Sequence, residues 1–272
     1  YNNPLWTIHE QKAGTVVNRF TITPELTIRP TSWFQIIARA NSDVSADQRN
    51  YFFPIGTAGS TRVIGAYQED GINTRDLNFD LIGRANFKLT DQIDLTATAG
   101  WSINDRKYKR NSGLINGFLV NSTKETTSLN TSAEASSFDG FRSHRRSNRG
   151  YGILNFDLFD QVFLNFSGGL EASSTVKGTF FYPAIDAAWE FTKGMDSEVI
   201  SFGKLRASWG KVGVQPSAHR FETLAEGGFT YSTYSDGLSI DSFGGGFRLD
   251  NNLGNPDLKP EIKTEWEIGA EL

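Results

Sequence analysis

The sequence predicts an all-β protein, a portion of a large antiparallel transmembrane β-barrel. Three observations predict it. Apolar and polar residues alternate with period two over stretches longer than soluble strands usually run. A ten-residue hairpin motif is written twice, as "NFKLTDQIDL" from Asn86 and as "NFDLFDQVFL" from Asn155. The connections also fall into two classes, short at one end of the strands and long at the other.

The first copy of the motif carries the clearest alternation. Leu77, Phe79, Leu81, Gly83, Ala85, Phe87 and Leu89 occupy one face, and Asp76, Asn78, Asp80, Arg84, Asn86 and Lys88 the other. A helix would smear these residues over all its sides. After Thr90-Asp91-Gln92, the residues Leu95, Ala97, Ala99, Trp101 and Ile103 continue the apolar face against Asp94, Thr96, Thr98 and Asn104. Two long strands about a tight turn make a β-hairpin. The second copy turns at Phe159-Asp160-Gln161, with a polar face shared by Tyr151, Ile153 and Phe163. An earlier hairpin reads "RFTITPELTI", a turn at Arg29-Pro30-Thr31-Ser32, then "WFQIIARAN". Later strands follow the same rule. Pro183, Ile185, Ala187 and Trp189 oppose Asp186 and Glu190; Leu205, Ala207 and Trp209 oppose Lys204, Arg206 and Ser208; Trp266, Ile268 and Ala270 oppose Glu265, Glu267 and Glu271.

Strand length and residue size select a membrane over a soluble sandwich. A tilted spanning strand needs about 9–11 residues. Gly83, Ala85, Ala97 and Ala99 would fill a soluble core poorly, but they sit well against lipid. Phe87 and Phe156 lie beside the tight turns and Trp101 at the far end of its strand, as aromatic girdles require. The long excursions are expected from Asp43 to Arg75, from Asp105 to Arg149 and from Gly213 to Pro260, with the short turns on the periplasmic side.

Composition agrees. The chain has 272 residues, 38% of them hydrophobic, and no apolar run long enough for a membrane helix. A net charge of −4 argues against nucleic-acid binding, and the absence of Cys removes thiolate metal sites and disulfides. The chain does not begin with Met and reads as a mature or trimmed piece.

Three segments point to a family. "YPAIDAAWEF", "ISFGKLRASWGKVG" and "GNPDLKPEIKTEWEIGAEL" resemble, in order and spacing, the late barrel of SusC/RagA-type TonB-dependent outer-membrane transporters of Bacteroidota. The Leu258-Lys259-Pro260-Glu261 context is the most specific part. The opening "YNNPLWTIHEQKAGTVVNRF" resembles an earlier strand pair of the same barrel. The resemblance implies a barrel of about 22 strands around a plugged lumen, of which this chain supplies about nine. It implies that residues 1–272 are part of the barrel domain, with the plug and N-terminal region outside this chain. It also implies residence in the cell outer membrane and import of an oligosaccharide or peptide. The partners implied are a SusD-like lipoprotein and TonB, the latter through a segment not present here. A barrel serving as scaffold in a secretion or motility complex is the alternative.

No catalytic, cofactor or metal site is expected. The three histidines have no metal spacing, no nucleophile motif occurs, and "DNNLGNPD" misses the EF-hand pattern. Two clusters carry more content. Arg106, Lys107, Lys109 and Arg110, with Arg142, Arg145, Arg146 and Arg149, flank one long loop and are expected at the outer rim. There they would meet lipopolysaccharide phosphates or form a solvated loop base. Phe229, Tyr231, Tyr234, Phe243 and Phe247 surround a turn at Ser235-Asp236-Gly237. They would contact cargo or a lid, or simply pack the loops together.

Overall fold

The computed structural model describes residues 2–59, 62–119, 137–193, 200–227, 247–249 and 253–272. A short helix, α1 (Pro4–Glu10), precedes twelve strands. They are β1 (Lys12–Ile22), β2 (Glu25–Ile28), β3 (Phe34–Phe53), β4 (Ala66–Thr90), β5 (Ile93–Asn116), β6 (Ser137–Leu158), β7 (Val162–Ser173), β8 (Thr179–Glu190), β9 (Lys204–Val214), β10 (Ala225–Gly227), β11 (Phe247–Leu249) and β12 (Glu261–Glu271). Ten of them form one sheet in the order β1-β3-β4-β5-β6-β7-β8-β9-β12, with β2 also paired to β3. Sequential antiparallel neighbours are what a meander of hairpins requires.

Each expected tight turn is present. β4 passes to β5 through Asp91 and Gln92, where the Gln92 amide donates to Thr90 Oγ1 at 3.2 Å. At the second copy Phe159 and Asp160 adopt left-handed φ of 60° and 48°, the twist that closes a tight hairpin. The two copies are also joined. The Phe159 amide donates to the Gln92 carbonyl at 2.7 Å, and the Glu190 amide donates to the Gln161 carbonyl at 2.9 Å. The Gln of each copy therefore gives its carbonyl to the chain at the next turn of the same edge, a physical role for the repeated motif.

Three expectations are corrected. The strands are longer than the alternating stretches: β3, β4, β5 and β6 have 20, 25, 24 and 22 residues. The excursions expected from Asp43 to Arg75 and from Asp105 to Arg149 therefore shrink to 54–65 and 117–136. The cause is that alternation of polarity ends where the apolar band ends, while backbone pairing continues with both faces polar. Second, "RFTITPELTI" is not one strand. Pro24, which lacks an N–H, separates β1 from β2. Its carbonyl still accepts from the Ala40 amide at 3.1 Å, so the chain stays on the β3 edge. Third, the opening segment begins with α1 in place of a strand. Asn3 Oδ1 accepts from the Leu5 amide at 2.9 Å and Pro4 starts the first turn, a capped N-terminus.

Two compact units partition the described chain. The first comprises 1–24, 39–78 and 104–144; the second comprises 25–38, 79–103 and 145–272. The first holds most of the fully enclosed side chains. Phe52 stacks on Phe118 at 5.6 Å, with Pro54, Thr57 and Ala66 buried nearby in sequence. In the second unit the apolar face of the sheet is uncovered. Leu81, Trp101, Leu154, Phe166, Phe181, Ile185, Trp189 and Leu205 are each about 40–60% exposed. A sandwich would bury these residues against a second sheet. No helix of the described residues is long and apolar enough to cross a membrane.

Candidate functional site: the polar face and the basic cluster

Alternation fixes which side chains share the polar face of the second unit. From β4 to β9 it presents Arg84, Asn86, Thr96, Asn155, Asp157, Asn165, Ser167, Asp186, Arg206 and Ser208. Register confirms the rows: Asn155 lies opposite Asn165, Asn165 opposite Asp186, and Asp186 opposite Ser208. Thr96 Oγ1 donates to Asn86 Oδ1 at 3.0 Å. Asp157 Oδ1 and Asn165 Oδ1 have no hydrogen-bond partner among the described residues, so this wall retains acceptors for something that packs on it.

A cleft of about 260 Å³ opens on this unit, lined by Arg149, Tyr151, Ser167, Glu171 and Tyr182. Arg149 and Glu171 are directly opposite across β6 and β7. Their side chains nevertheless diverge. The Arg149 guanidinium sits 5.9 Å from the Tyr151 ring centroid, and Glu171 accepts a hydrogen bond from Gln215 Nε2. Gln215 Oε1 has no partner among the described residues. The cleft thus offers a cation and an anion from directly paired positions, beside aromatic rings and with no ion pair between the two. Gly100 makes room for it, because a Cβ there would stand 2.3 Å from the Tyr151 ring.

A second hollow, about 990 Å³, is on the opposite face, around Gly83, Ala97, Ala99, Gly152 and Gly168. Its lining is mostly apolar and follows the apolar side of the alternation.

The members of the basic cluster lie on β5 and β6, the two strands that flank residues 117–136. They also divide between the faces. Asp105 accepts from His144 at 2.9 Å and pairs with Arg75 at 3.6 Å, so Asp105, His144 and Arg75 share one face. By strand alternation that is the side of Trp101 and Asn148, and it carries Lys107, Lys109, Arg142 and Arg146. The other side carries Arg106, Arg110, Arg145 and Arg149. There Arg110 pairs with Asp139 at 3.4 Å, Tyr108 packs on Phe141 at 5.9 Å, and Arg149 joins the cleft. Of the aromatic cluster, Phe229, Tyr231, Tyr234 and Phe243 and the turn at Ser235–Gly237 lie outside the described residues. Phe247 opens β11, whose pairing with β10 brackets that segment.

No group of described His, Asp or Glu residues is arranged to hold a metal ion. The cleft and the Asp157–Asn165 acceptors were missed in the sequence. The signal available for them was the polar face of β6 and β7, where aromatic residues interrupt an otherwise polar row.

Comparison with protein families decides the class. A model of TonB dependent receptor-like β-barrels matches residues 3–272. The chain belongs to this family. The TonB-dependent receptor barrels are receptor and transport proteins, not enzymes. No curated protein matches the chain. Solved structures similar to it include that of the RagAB peptide transporter, with a TM-score of 0.76 at 14% identity, covering 98% of this chain and 29% of that one. The RagAB peptide importer in its "closed-closed" and "open-open" states gives TM-scores of 0.73 and 0.74, each at 15% identity, covering 96% and 98% of this chain. The chain spans less than a third of the length of these neighbours. Membership makes the uncovered apolar face a lipid-facing surface and the polar face a lumen wall.

Proposed function

We propose that the whole protein is an outer-membrane importer of a bulky nutrient, driven by TonB and capped by a SusD-like lipoprotein. The observation that carries the reading is the match of nearly the whole chain to the TonB-dependent receptor barrel. Lumens of this class are wide and plugged, which suits cargo larger than a simple sugar. The lipoprotein rests on the resemblance of the "ISFGKLRASWGKVG" and "GNPDLKPEIKTEW" segments to SusC/RagA-type barrels. The similar structures are named as a peptide transporter and importer, which favours peptide over oligosaccharide as the cargo. The cleft supports the same choice, because Arg149 and Glu171 suit the carboxylate and ammonium groups of a peptide better than the hydroxyls of a sugar. TonB would act through a segment outside this chain, and the segment containing Phe229, Tyr231, Tyr234, Phe243 and Phe247 would meet cargo or lid.

The test is deletion of the gene together with purification of the native complex. The expected result is loss of growth on one peptide or polymer source, with growth on its monomers intact, and copurification of a lipoprotein. Growth unaffected on every source, with secretion or motility components copurifying in place of a lipoprotein, would replace import by a scaffold role.

A further inference from the structure

One charge of the cleft has a partner that the sheet alone would not choose. Arg149 and Glu171 are directly opposite across β6 and β7, where an ion pair is the favourable arrangement. Glu171 instead accepts from Gln215 Nε2, a neutral donor on the connection that follows β9. That bond leaves Gln215 half satisfied, because its Oε1 is buried with no hydrogen-bond partner among the described residues. Turning the amide over would set Oε1 against the carboxylate, so a flip gives no relief. Gln215 is also the near end of a strap, residues 215–224, which pairs with no strand. Pro216 confines Gln215 to extended backbone and has no N–H to pair, so β9 stops at Val214. His219 takes a left-handed φ of 63°, uncommon for a residue with a Cβ. The far end of the strap is fastened. The Arg220 carbonyl accepts from the Asn255 amide at 3.1 Å, Thr223 Oγ1 accepts from the Gly254 amide at 3.0 Å, and Lys177 Nζ lies 5.9 Å from the Phe221 ring centroid. Among the described residues, the side-chain hydrogen bond that ties the near end to the sheet is that of Gln215 to Glu171.

We propose that Gln215 is a latch on Glu171, and that a ligand's primary ammonium group takes its place, so that filling the cleft frees the near end of the strap. An ammonium brings a full charge and three donors, and its hydrogen bond to a carboxylate is stronger than that of an amide. Release of Gln215 also returns its buried Oε1 to water. The cleft has room for the exchange beside Glu171. Tyr182, opposite Gly169, lies over Gly213, where a Cβ would stand 2.3 Å from the phenol oxygen. Gln215 thus acts as an internal competitor that sets how readily Glu171 accepts a cation, and it links occupancy of the cleft to the connection between β9 and β12. The inference rests on the peptide reading of the cleft for the class of ligand, and binding to the purified protein tests it without uptake.

The experiment titrates the full-length protein in detergent with three tripeptides and follows amide hydrogen exchange over residues 217–223. Acetyl-Ala-Lys-Ala-amide carries a side-chain ammonium, Ala-norleucine-Ala-amide a terminal one, and acetyl-Ala-norleucine-Ala-amide none. An ammonium peptide should bind the wild type better than the neutral one, and which of the two does so identifies the ammonium that the cleft takes. Gln215→Ala should tighten that binding about tenfold, the order of one hydrogen bond to a charged group, and leave the neutral peptide unaffected. Gln215→Asn, one methylene too short for the bond, should act in the same direction and serves if the Ala variant lacks the heat-modifiable band of the folded barrel. Exchange over 217–223 should rise on binding in the wild type and be already raised in the Gln215 variants. Glu171→Gln should bind the ammonium peptide no better than the neutral one. Equal binding to wild type and Gln215 variants, binding that persists in Glu171→Gln, or unchanged strap exchange in the ligand-bound wild type overturns the latch. Preference of neither ammonium peptide over the neutral one also overturns it. A gene deletion without a growth defect would remove import and leave each of these outcomes as it stands.

Discussion

Leu81 and Asp80 are adjacent in sequence and opposite in environment. Leu81 is 43% exposed on the apolar face, although a Leu of a soluble domain at that point in a strand would be covered. The barrel supplies lipid as the cover. Leu81→Arg should cost about 2–4 kcal/mol in a folding titration in bilayers, and Asp80→Arg, facing the wet lumen, well under 1 kcal/mol. Equal costs would reverse the two faces. Thr98 is a poorer probe than the alternation suggests, since it is only 8% exposed among polar-face neighbours. A second residue-scale expectation concerns Asp47, which lies beyond the membrane-spanning part of β3. Hydrogen bonds from Arg49, at 2.6 Å from Nη2 and 3.0 Å from Nε, hold its carboxylate below the usual range. A carboxylate with a depressed native pKa contributes stability above its unfolded pKa of about 3.9 and loses it as pH falls through the lower native value. Amide protection across Val44–Asn50 should therefore decline below about pH 4 in the wild type. The decline should be absent in Asp47→Asn, and a decline that persists there would assign it to other groups.

At the scale of elements, the lipid-facing halves of the strands were legible because lipid imposes a strict demand. Every second residue from Leu77 to Leu89 must be apolar, and each is apolar or Gly. The outer halves were not legible, because water on both sides imposes no such pattern on Asp43–Phe53 or Ala66–Arg75. What holds those halves is pairing, as between Ser45 and Thr74 at 3.1 Å and between Asn104 and Asn78 at 2.7 Å. Helix α1 is seven residues long, too short for periodicity to reveal it. The division of the basic cluster was within reach, since Arg106 and Lys107 must point to opposite sides of any strand. A reading of the cluster as two runs flanking one long loop does not by itself separate the two faces. The two connection classes give an element-scale prediction. An epitope inserted between β5 and β6 should be reached by antibody on intact cells, whereas one at Asp91 should be reached only after permeabilisation. Surface exposure of the Asp91 tag would invert the topology.

For the whole molecule, the import reading assigns the Arg149–Glu171 cleft to the route of the cargo. Neither charge neutralises the other in the chain, since the guanidinium turns to Tyr151 and Glu171 to Gln215. A charged group on a passing peptide would meet an open partner of opposite sign, and hydrogen bonds to charged groups contribute about 1.5–3 kcal/mol. Arg149→Ala should thus lower uptake of acidic peptides by about tenfold or more, and Glu171→Ala that of basic peptides by a similar factor. Neutral peptides of the same length should enter each variant at the wild-type rate. Both variants replace partly exposed side chains on a water-facing wall, so each should keep the heat-modifiable band of the folded barrel. Reciprocal loss by peptide charge would locate the cleft on the route. Uptake that falls equally for acidic, basic and neutral peptides would show instead that the cleft anchors something fixed inside the barrel. Unaltered uptake of all three would place the cargo's path elsewhere on the wall.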